Sequence, residues 1–296
     1  MKKIRYAISF LFMALVFSAC KNETNSEEAK SAKESSETTT QRIVSLNGAV
    51  TAIIADLGHG KELVGRDMTS TYPEWVQDSI KNLGHLRSLS LEALMSLHPS
   101  VVLALEEDIS PDLKKSLENS GIRYKLFERE FSVEGTKSLI KDVAEFIGAS
   151  PEKVKPMLQK IDADLSKIES FEKKPKVLFI YARGAGTLMV AGDGTSMGNI
   201  IEIAGAENAG EALNNFKPLT TEALLNINPD VIFLFKSGLE SLDEAGGILN
   251  IPGVSQTTAG KNKAIITMEG GLVSNFGPRL GEAAYRLNQL LIPYAK

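Results

Sequence analysis

Leu89-Ser90-Leu91-Glu92-Ala93-Leu94, followed by Pro99-Ser100-Val101-Val102, recurs later in the chain as Leu219-Thr220-Thr221-Glu222-Ala223-Leu224 and Pro229-Asp230-Val231-Ile232. The two copies match at most positions at a constant offset, with Leu91 against Thr221 and Ser100 against Asp230 as the clear differences. In each copy a hydroxyl residue and a glutamate begin a short helix, and a proline ends it before an apolar strand. Two copies of one helix–proline–strand unit predict two lobes of similar fold.

Short apolar strands alternate with helices on both sides of these units. In the first half the sequence predicts strands at 43–46, 63–65, 101–105 and 124–127, with helices at 49–57, 91–97, 111–119 and 133–147. In the second half it predicts strands at 177–181, 231–235 and 264–268, with helices at 197–204 and 281–291. Such alternation is typical of a parallel sheet with helices on both faces. We therefore expect an α/β protein of two similar lobes, each built on a central parallel sheet.

Residues 151–174 join the two halves and contain no glycine. Apolar residues recur there every three or four positions, which predicts a helix with one apolar stripe. A helix of about 20 residues would be roughly 30 Å long, the width of a small domain. The sequence thus predicts a first lobe at 42–149, a linker helix at 150–174 and a second lobe at 175–296. Because open α/β sheets bind ligands beyond the carboxyl ends of their strands, two facing lobes should enclose a ligand cleft.

The N-terminal residues carry an export pattern. A basic start, an apolar run at 7–17 and small residues before Cys20 are typical of a signal peptide covering 1–19. Cys20 is the single cysteine of the chain and lies at the predicted cleavage point, which favours a lipidated protein over a secretory signal with an incidental cysteine. Residues 21–41 are polar and contain no aromatic side chain, which predicts that a flexible tether follows the lipidated cysteine and completes a 20–41 segment. We therefore expect a membrane-anchored lipoprotein in the periplasm or on the cell surface.

Composition and motifs argue against several function classes. A net charge of −4 disfavours nucleic-acid binding, which needs a basic surface. Gly184-Ala185-Gly186 lacks the third glycine of a dinucleotide fingerprint, and 192–196 lacks the lysine of a phosphate loop, so both predict turns. The histidines His59, His85 and His98 are scattered, which disfavours a zinc or manganese cluster. The sequence also contains no nucleophile motif, and nothing in it predicts an enzyme.

Residues 42–296 resemble the solute-binding proteins of ABC importers for iron complexes, cobalamin and haem, and most of all the haem-binding branch. The segments that carry the resemblance are Arg42-Ile43-Val44-Ser45-Leu46, Val64-Gly65-Arg66-Asp67, Thr69-Ser70-Thr71-Tyr72-Pro73, Arg87-Ser88-Leu89-Ser90, Ala182-Arg183-Gly184-Ala185-Gly186-Thr187-Leu188, Ala191-Gly192 and Phe276-Gly277-Pro278-Arg279. The first segment is common to the larger group, whereas the tyrosine segment and the Arg-Gly-Ala-Gly segment are more specific. The resemblance implies the class III periplasmic-binding-protein fold, with two lobes on a rigid helix, and a monomer that delivers its ligand to a permease.

The same resemblance nominates Tyr72 as the axial ligand of haem iron. Tyr72 lies in a loop after a predicted strand, and a phenolate is an oxygen donor suited to ferric iron. The two propionates of haem call for basic partners, for which the resembling segments offer Arg66, Arg87, Arg183 and Arg279. Some members of the group have a histidine near the position of Arg183 that can be a second ligand. This chain has none there, and His85 is the nearest substitute.

In the same group, acidic residues on the tops of both lobes dock onto arginines of the permease. Glu106 or Glu107 follows the predicted strand 101–105, and Glu240 follows 231–235, so the resemblance makes these three residues the docking candidates. The expected function is therefore the capture of haem (hemin) for import. A ferric siderophore or cobalamin in the same cleft is the alternative ligand, and a haem-processing enzyme is the alternative outside this class.

Overall fold

The first sheet is entirely parallel. The computed structural model describes residues 41–186 and 188–295, so the predicted signal peptide, Cys20 and nearly all of the tether lie outside the described residues. The strands of the first sheet are β1 (Ile43–Ser45), β2 (Leu63–Arg66), β3 (Lys81–Asn82), β4 (Val101–Leu105) and β5 (Arg123–Phe127). Their order is β3-β2-β1-β4-β5, and every neighbouring pair is parallel. The parallel sheet predicted for the first half is confirmed.

Helices cover both faces of this sheet. They are α1 (Gly48–Ile54), α2 (Trp75–Ser79), α3 (Leu91–Met95), α4 (Pro111–Glu118), α5 (Val133–Ile147) and α6 (Pro151–Leu165). Side chains of α1 and α5 form an apolar core on one face of the sheet, and side chains of α3 and α4 form a second core on the other face. Because both faces are covered, β4 is buried along its whole length, as its uninterrupted apolar sequence requires.

The second sheet is mixed. Its strands are β6 (Lys176–Ala182), β7 (Leu188–Ala191), β8 (Glu207–Asn208), β9 (Phe216–Pro218), β10 (Val231–Phe235) and β11 (Ile265–Met268). β10 pairs in parallel with β6 and β11, and β8 pairs in parallel with the beginning of β6. β7 pairs antiparallel with the end of β6 and with β9. The parallel centre agrees with the sequence prediction, whereas the antiparallel extension by β7 and β9 was not predicted.

Helices also cover both faces of the second sheet. They are α7 (Ser196–Ile203), α8 (Thr221–Ile227), α9 (Lys236–Glu240), α10 (Glu244–Leu249), α11 (Thr258–Asn262), α12 (Gly270–Ser274) and α13 (Leu280–Leu291). Side chains of α7, α12 and α13 fill the core on one face, while α8, α10 and α11 border the core on the other. The second half therefore repeats the layered arrangement of the first.

The sequence repeat is also a repeat of backbone geometry. The side chains of Ser90 and Thr220 each accept a hydrogen bond of 3.1 Å from the backbone N–H three residues later, and so cap α3 and α8 in the same way. His98 and Asn228, which precede the two prolines, both have left-handed φ values of 45° and 44°. The strands that follow, β4 and β10, each pair in parallel with the first strand of their sheet.

The linker helix is shorter than predicted. α6 ends at Leu165, whereas the apolar spacing predicted a helix to Lys174. The side chain of Asn288 on α13 binds the backbone of Glu169, accepting from its N–H at 3.1 Å and donating to its C=O at 2.9 Å. These bonds replace the helical ones, so Ile168 packs on the core of the second sheet instead of continuing an apolar stripe. Among the described residues, no helix combines the length and the apolar character needed to cross a membrane.

Candidate functional site

Tyr72 and Arg279 come together from opposite halves of the chain. Tyr72 lies in the segment between β2 and α2, and Arg279 immediately precedes α13. The Arg279 guanidinium lies over the Tyr72 ring, with its central carbon 4.4 Å from the ring centroid. Glu282 holds this guanidinium in place by accepting two hydrogen bonds, of 2.8 Å from Nε and 3.0 Å from Nη2. The structure thus pairs two residues that the sequence nominated separately.

Small residues allow the two halves to approach closely around this pair. A Cβ atom at Gly48, in the first turn of α1, would lie 2.7 Å from the carbonyl oxygen of Thr69. A Cβ atom at Gly271, in α12, would lie 2.9 Å from the Thr71 hydroxyl oxygen. Both distances are too short for a side chain, so glycine is required for the Tyr72 segment to fit between α1 and α12. The segment is therefore held on both sides at the boundary between the halves.

The surroundings keep the Tyr72 phenol protonated. Burial raises its pKa above the ordinary value of 10.0, and the charge of Asp56 raises it further, while Arg279 lowers it. Arg279 places a guanidinium beside this tyrosine, but it lowers the pKa of Tyr72 by less than burial raises it. A metal ion that binds the phenol oxygen must therefore displace the proton itself.

A second part of the cleft is a cavity of about 380 Å³, and Asn275 lines both this cavity and the space beside Tyr72 and Arg279. It is lined by residues of both halves, among them Met68, His85, Arg87, Arg129, Ser196 and Asn275. Arg87 and His85 are both exposed here, as a ligand-binding role would require. Tyr72 does not belong to the lining of this cavity. The nominated arginines are thus distributed over two adjoining parts of the cleft.

Arg66 does not face the cleft. It is 6% exposed, and three of its nitrogens donate to the carbonyl oxygens of Asp67, Val76 and Gln77, each at 3.1 Å. Its guanidinium is therefore committed to fixing the backbone on both sides of Tyr72. Arg66 positions the tyrosine segment and is almost fully buried, which corrects its nomination as a carboxylate partner.

Arg183 is exposed just beyond the carboxyl end of β6. The next residue, Gly184, has a left-handed φ of 68°, and its N–H donates to the Ser241 hydroxyl at 2.9 Å. This turn fixes the loop against the end of α9 and directs it towards the carboxyl edge of the second sheet, where α/β proteins bind ligands.

Two of the three nominated docking glutamates are occupied by ion pairs. Glu106 accepts from Lys114 at 2.5 Å, and Glu107 accepts from the Nε of Arg129 at 2.5 Å. Glu240 is exposed at the end of α9. The repeat also shows that Glu240 is not the counterpart of the other two, because the residue that directly follows β10 is Lys236.

Glu92 and Glu222 are the glutamates that the repeat does make equivalent. Each lies in the first turn of its helix, α3 or α8, and each is exposed. In the part of the chain that the structure describes, neither forms an ion pair. From the sequence, both residues predict only the start of a helix. Their equivalent positions in the two copies are the sequence signal that groups them together.

No resident metal site is evident from the described residues, which contain no group of three or more His, Cys, Asp or Glu side chains arranged around an ion.

The family of periplasmic binding proteins matches residues 43–270. The relative "Uncharacterized ABC transporter substrate-binding lipoprotein YvrC" of Bacillus subtilis is 27% identical over 260 residues, which cover 86% of this chain and 80% of that protein.

Solved structures of similar fold share most of the chain. The apo form of the periplasmic heme-binding protein RhuT from Roseiflexus sp. RS-1 superposes with a TM-score of 0.82 at 32% identity, covering 86% of this chain and 99% of that chain. The periplasmic heme-binding protein BhuT in complex with two hemes superposes with a TM-score of 0.81 at 29% identity, again covering 86% and 99%.

Proposed function

Because the chain belongs to the periplasmic binding protein family, we propose that it is the haem-binding lipoprotein of an ABC importer. The observation that carries the choice of haem is the contact between Tyr72 and Arg279 at the boundary of the two halves. A phenol oxygen suits ferric iron, and a guanidinium over the ring favours its anionic form when the proton leaves. The similarity to RhuT and BhuT, both named as haem-binding proteins, supports the same ligand.

In this proposal haem is cargo, and its iron is bound by the Tyr72 oxygen. Arg87 and Arg183 are exposed on the first and second halves, where each can pair with a propionate. Arg279 stays beside the tyrosine, since Glu282 already accepts from two of its nitrogens. Binding energy then comes from both halves of the cleft, so that haem would favour their closed arrangement.

Ferric haem titration tests the proposal directly. The wild-type protein should shift the Soret band and develop a charge-transfer band, and its single tryptophan, Trp75, should be quenched because it lies three residues from Tyr72. Tyr72→Phe should lose the charge-transfer band, whereas the control Tyr285→Phe, on α13 beside Lys167, should leave the spectrum unchanged. A wild-type protein that binds a ferric siderophore or cobalamin instead of haem would overturn the choice of ligand.

We also propose that Cys20 is lipidated and anchors the protein to a membrane, with residues 21–41 as a tether. The sequence pattern around Cys20 supports this, as does the name of the lipoprotein relative YvrC. In cells fed with a labelled fatty acid, the wild-type protein should incorporate label and sediment with membranes. Cys20→Ser should do neither, and a Cys20→Ser protein that still sediments with membranes would contradict a lipid anchor.

For permease docking, Glu92 and Glu222 are better supported than the three glutamates nominated first. A partner that grips both halves requires equivalent groups on each, and these two carboxylates occupy equivalent, exposed positions. We expect Glu92→Gln/Glu222→Gln to keep haem binding and to lose uptake into proteoliposomes containing the cognate importer. Glu106→Gln/Glu240→Gln serves as the matched control, and loss of uptake in this control alone would favour the original nomination.

A further inference from the structure

The two helices of the sequence repeat share a pattern of exposure as well as a cap. Leu94 of α3 and Leu224 of α8 are both 0% exposed, and each packs its helix on an apolar core of its own sheet. One residue further on, Met95 and Leu225 are 38% and 37% exposed. The buried side and the open side of the helix are therefore the same in both halves of the molecule.

The shared exposure of Met95 and Leu225 is not a general feature of the surface. Within 41–186 and 188–295, the exposed large apolar side chains are Met68, Trp75, Met95, Phe216, Leu225, Leu290 and Ile292. In this group, Met95 and Leu225 are the one pair that occupies equivalent positions of the repeat. A single exposed apolar side chain needs no explanation, but the same exposure at the same place in both copies indicates a shared contact.

An exposed glutamate lies beside each of these apolar side chains. Glu92 precedes Met95 by three residues, and Glu222 precedes Leu225 by three, a spacing that puts both side chains of a pair on one face of a helix. Among the described residues, neither carboxylate has an ion-pair partner. We call Glu92 with Met95, and Glu222 with Leu225, the two acid–apolar pairs.

The charges of the acid–apolar pairs decide which partner can cover them. A surface of anionic lipid would repel both carboxylates. A second copy of the chain would bring carboxylates against carboxylates, and like charges that face each other across an interface weaken it. A protein that offers a cationic group beside an apolar pocket complements both members of a pair. Because the two pairs are equivalent, a protein that binds both in the same way must present this surface twice, as two identical subunits do.

We propose that Met95 and Leu225 are apolar docking contacts for the permease, each entering a pocket beside a cation that binds Glu92 or Glu222, and this rests on the proposed function in an ABC importer. The glutamates orient the approach, and the apolar side chains add affinity because they leave water. Since both pockets have to be filled at once, the permease binds the arrangement of the two halves that spaces the pairs correctly.

Bio-layer interferometry tests these contacts, with the cognate importer in nanodiscs and no added ligand. Met95→Ala/Leu225→Ala should weaken binding about tenfold, because each truncation removes about three heavy atoms from the buried apolar surface. Met95→Leu/Leu225→Met exchanges the two side chains and should bind like wild type.

Leu290→Ala/Ile292→Ala is the matched control. It truncates side chains that are 40% and 37% exposed but lie at the end of the chain, outside the repeat. It should bind the importer like wild type. If this control weakened binding as much as Met95→Ala/Leu225→Ala, the effect would be a general loss of apolar surface and the inference would be wrong.

Haem titration separates this inference from the proposed function. Met95→Ala/Leu225→Ala should give the wild-type haem spectrum, because neither residue lines the two parts of the cleft. If wild type binds no haem while the double variant still loses importer binding, the choice of ligand fails and the docking contacts stand. If the double variant binds the importer like wild type while Glu92→Gln/Glu222→Gln does not, the apolar contacts alone are overturned. Wild-type protein that sediments as a dimer, with the double variant as a monomer, would assign the surface to a second copy instead.

Discussion

The two sheets share one core and differ at one edge. In both, a helix with a hydroxyl N-cap is followed by a proline and a buried strand that pairs with the first strand of the sheet. The first sheet continues from there in parallel to β5, whereas the second carries the antiparallel strands β7 and β9 on the opposite side of β6. The repeat thus retains the capped helix, the proline and the buried strand in both sheets. The second sheet departs from the repeat at β7 and β9, next to the end of β6 that precedes Arg183.

The largest effect should come from the strands that the repeat makes equivalent. Leu103 in β4 and Phe233 in β10 occupy matching positions, and both are 0% exposed. Leu103→Ala should lower the free energy of unfolding by about 2–5 kcal/mol and Phe233→Ala by about 3–5 kcal/mol, because each leaves a cavity in a packed core. Guanidinium denaturation followed by circular dichroism measures both.

The same experiment shows whether the halves unfold together. Thr136 on α5 donates to the backbone oxygen of Phe276 at 3.3 Å, and Asn199 on α7 donates to that of Phe131 at 2.8 Å. The rings of Phe131 and Phe276 also pack against each other, with their centroids 5.2 Å apart. These contacts join the halves, so we expect one transition in each variant. A second transition in only one of them would show that the corresponding half is autonomous.

A smaller effect should follow from removing the equivalent caps. Ser90→Ala and Thr220→Ala each remove one hydrogen bond to the third residue of a short helix. The expected loss is about 1 kcal/mol for each, and the two losses should agree because the geometry is the same. Thermal unfolding of the two single variants and of the double variant checks this. A clear difference between the single variants would mean that the repeat is equivalent in shape but unequal in energy.

Local signals explain which elements could be predicted. The sequence predicts α5 at its observed bounds, and the structure shows Ser132 capping its beginning and Gly148 ending it with a left-handed φ of 74°. The sequence does not predict β7, because Leu188–Ala191 lies between glycine segments that predict turns. The early end of α6 depends on Asn288, which is far away in sequence. No local pattern could reveal it.

The functional site shows the same difference between what local sequence signals predict and what depends on contacts between distant residues. Family resemblance nominated Tyr72 and Arg279, but their contact joins positions more than two hundred residues apart and became visible only in the fold. Arg66 was nominated by the same resemblance, yet its segment bends back so that carbonyl oxygens of Val76 and Gln77 take its donors. Residue type and motif identified the candidates, and tertiary contacts show which of them are exposed and which are bonded to the protein's own backbone.

The smallest expected effect is a pH dependence of folding stability, whose sign differs between a carboxylate of the first half and one of the second half. On the second half, the hydrogen bonds from Arg279 hold the pKa of Glu282 below its ordinary value of 4.5. The stability that the Glu282 carboxylate contributes is therefore present above pH 4.5 and is lost as the pH falls through its folded-state pKa. On the first half, burial raises the pKa of Asp108 above 3.8, although Arg129 and Asn47 act in the opposite direction. The contribution of Asp108 to folding stability is therefore fully present below pH 3.8 and is lost as the pH rises through its folded-state pKa. As the pH rises towards 4.5, Glu282→Gln should therefore lose stability relative to wild type, and as the pH rises above 3.8, Asp108→Asn should gain stability relative to wild type. Urea denaturation at a series of pH values is the measurement. Equal slopes for the two variants would show that the cleft carboxylates of the two halves are electrostatically alike.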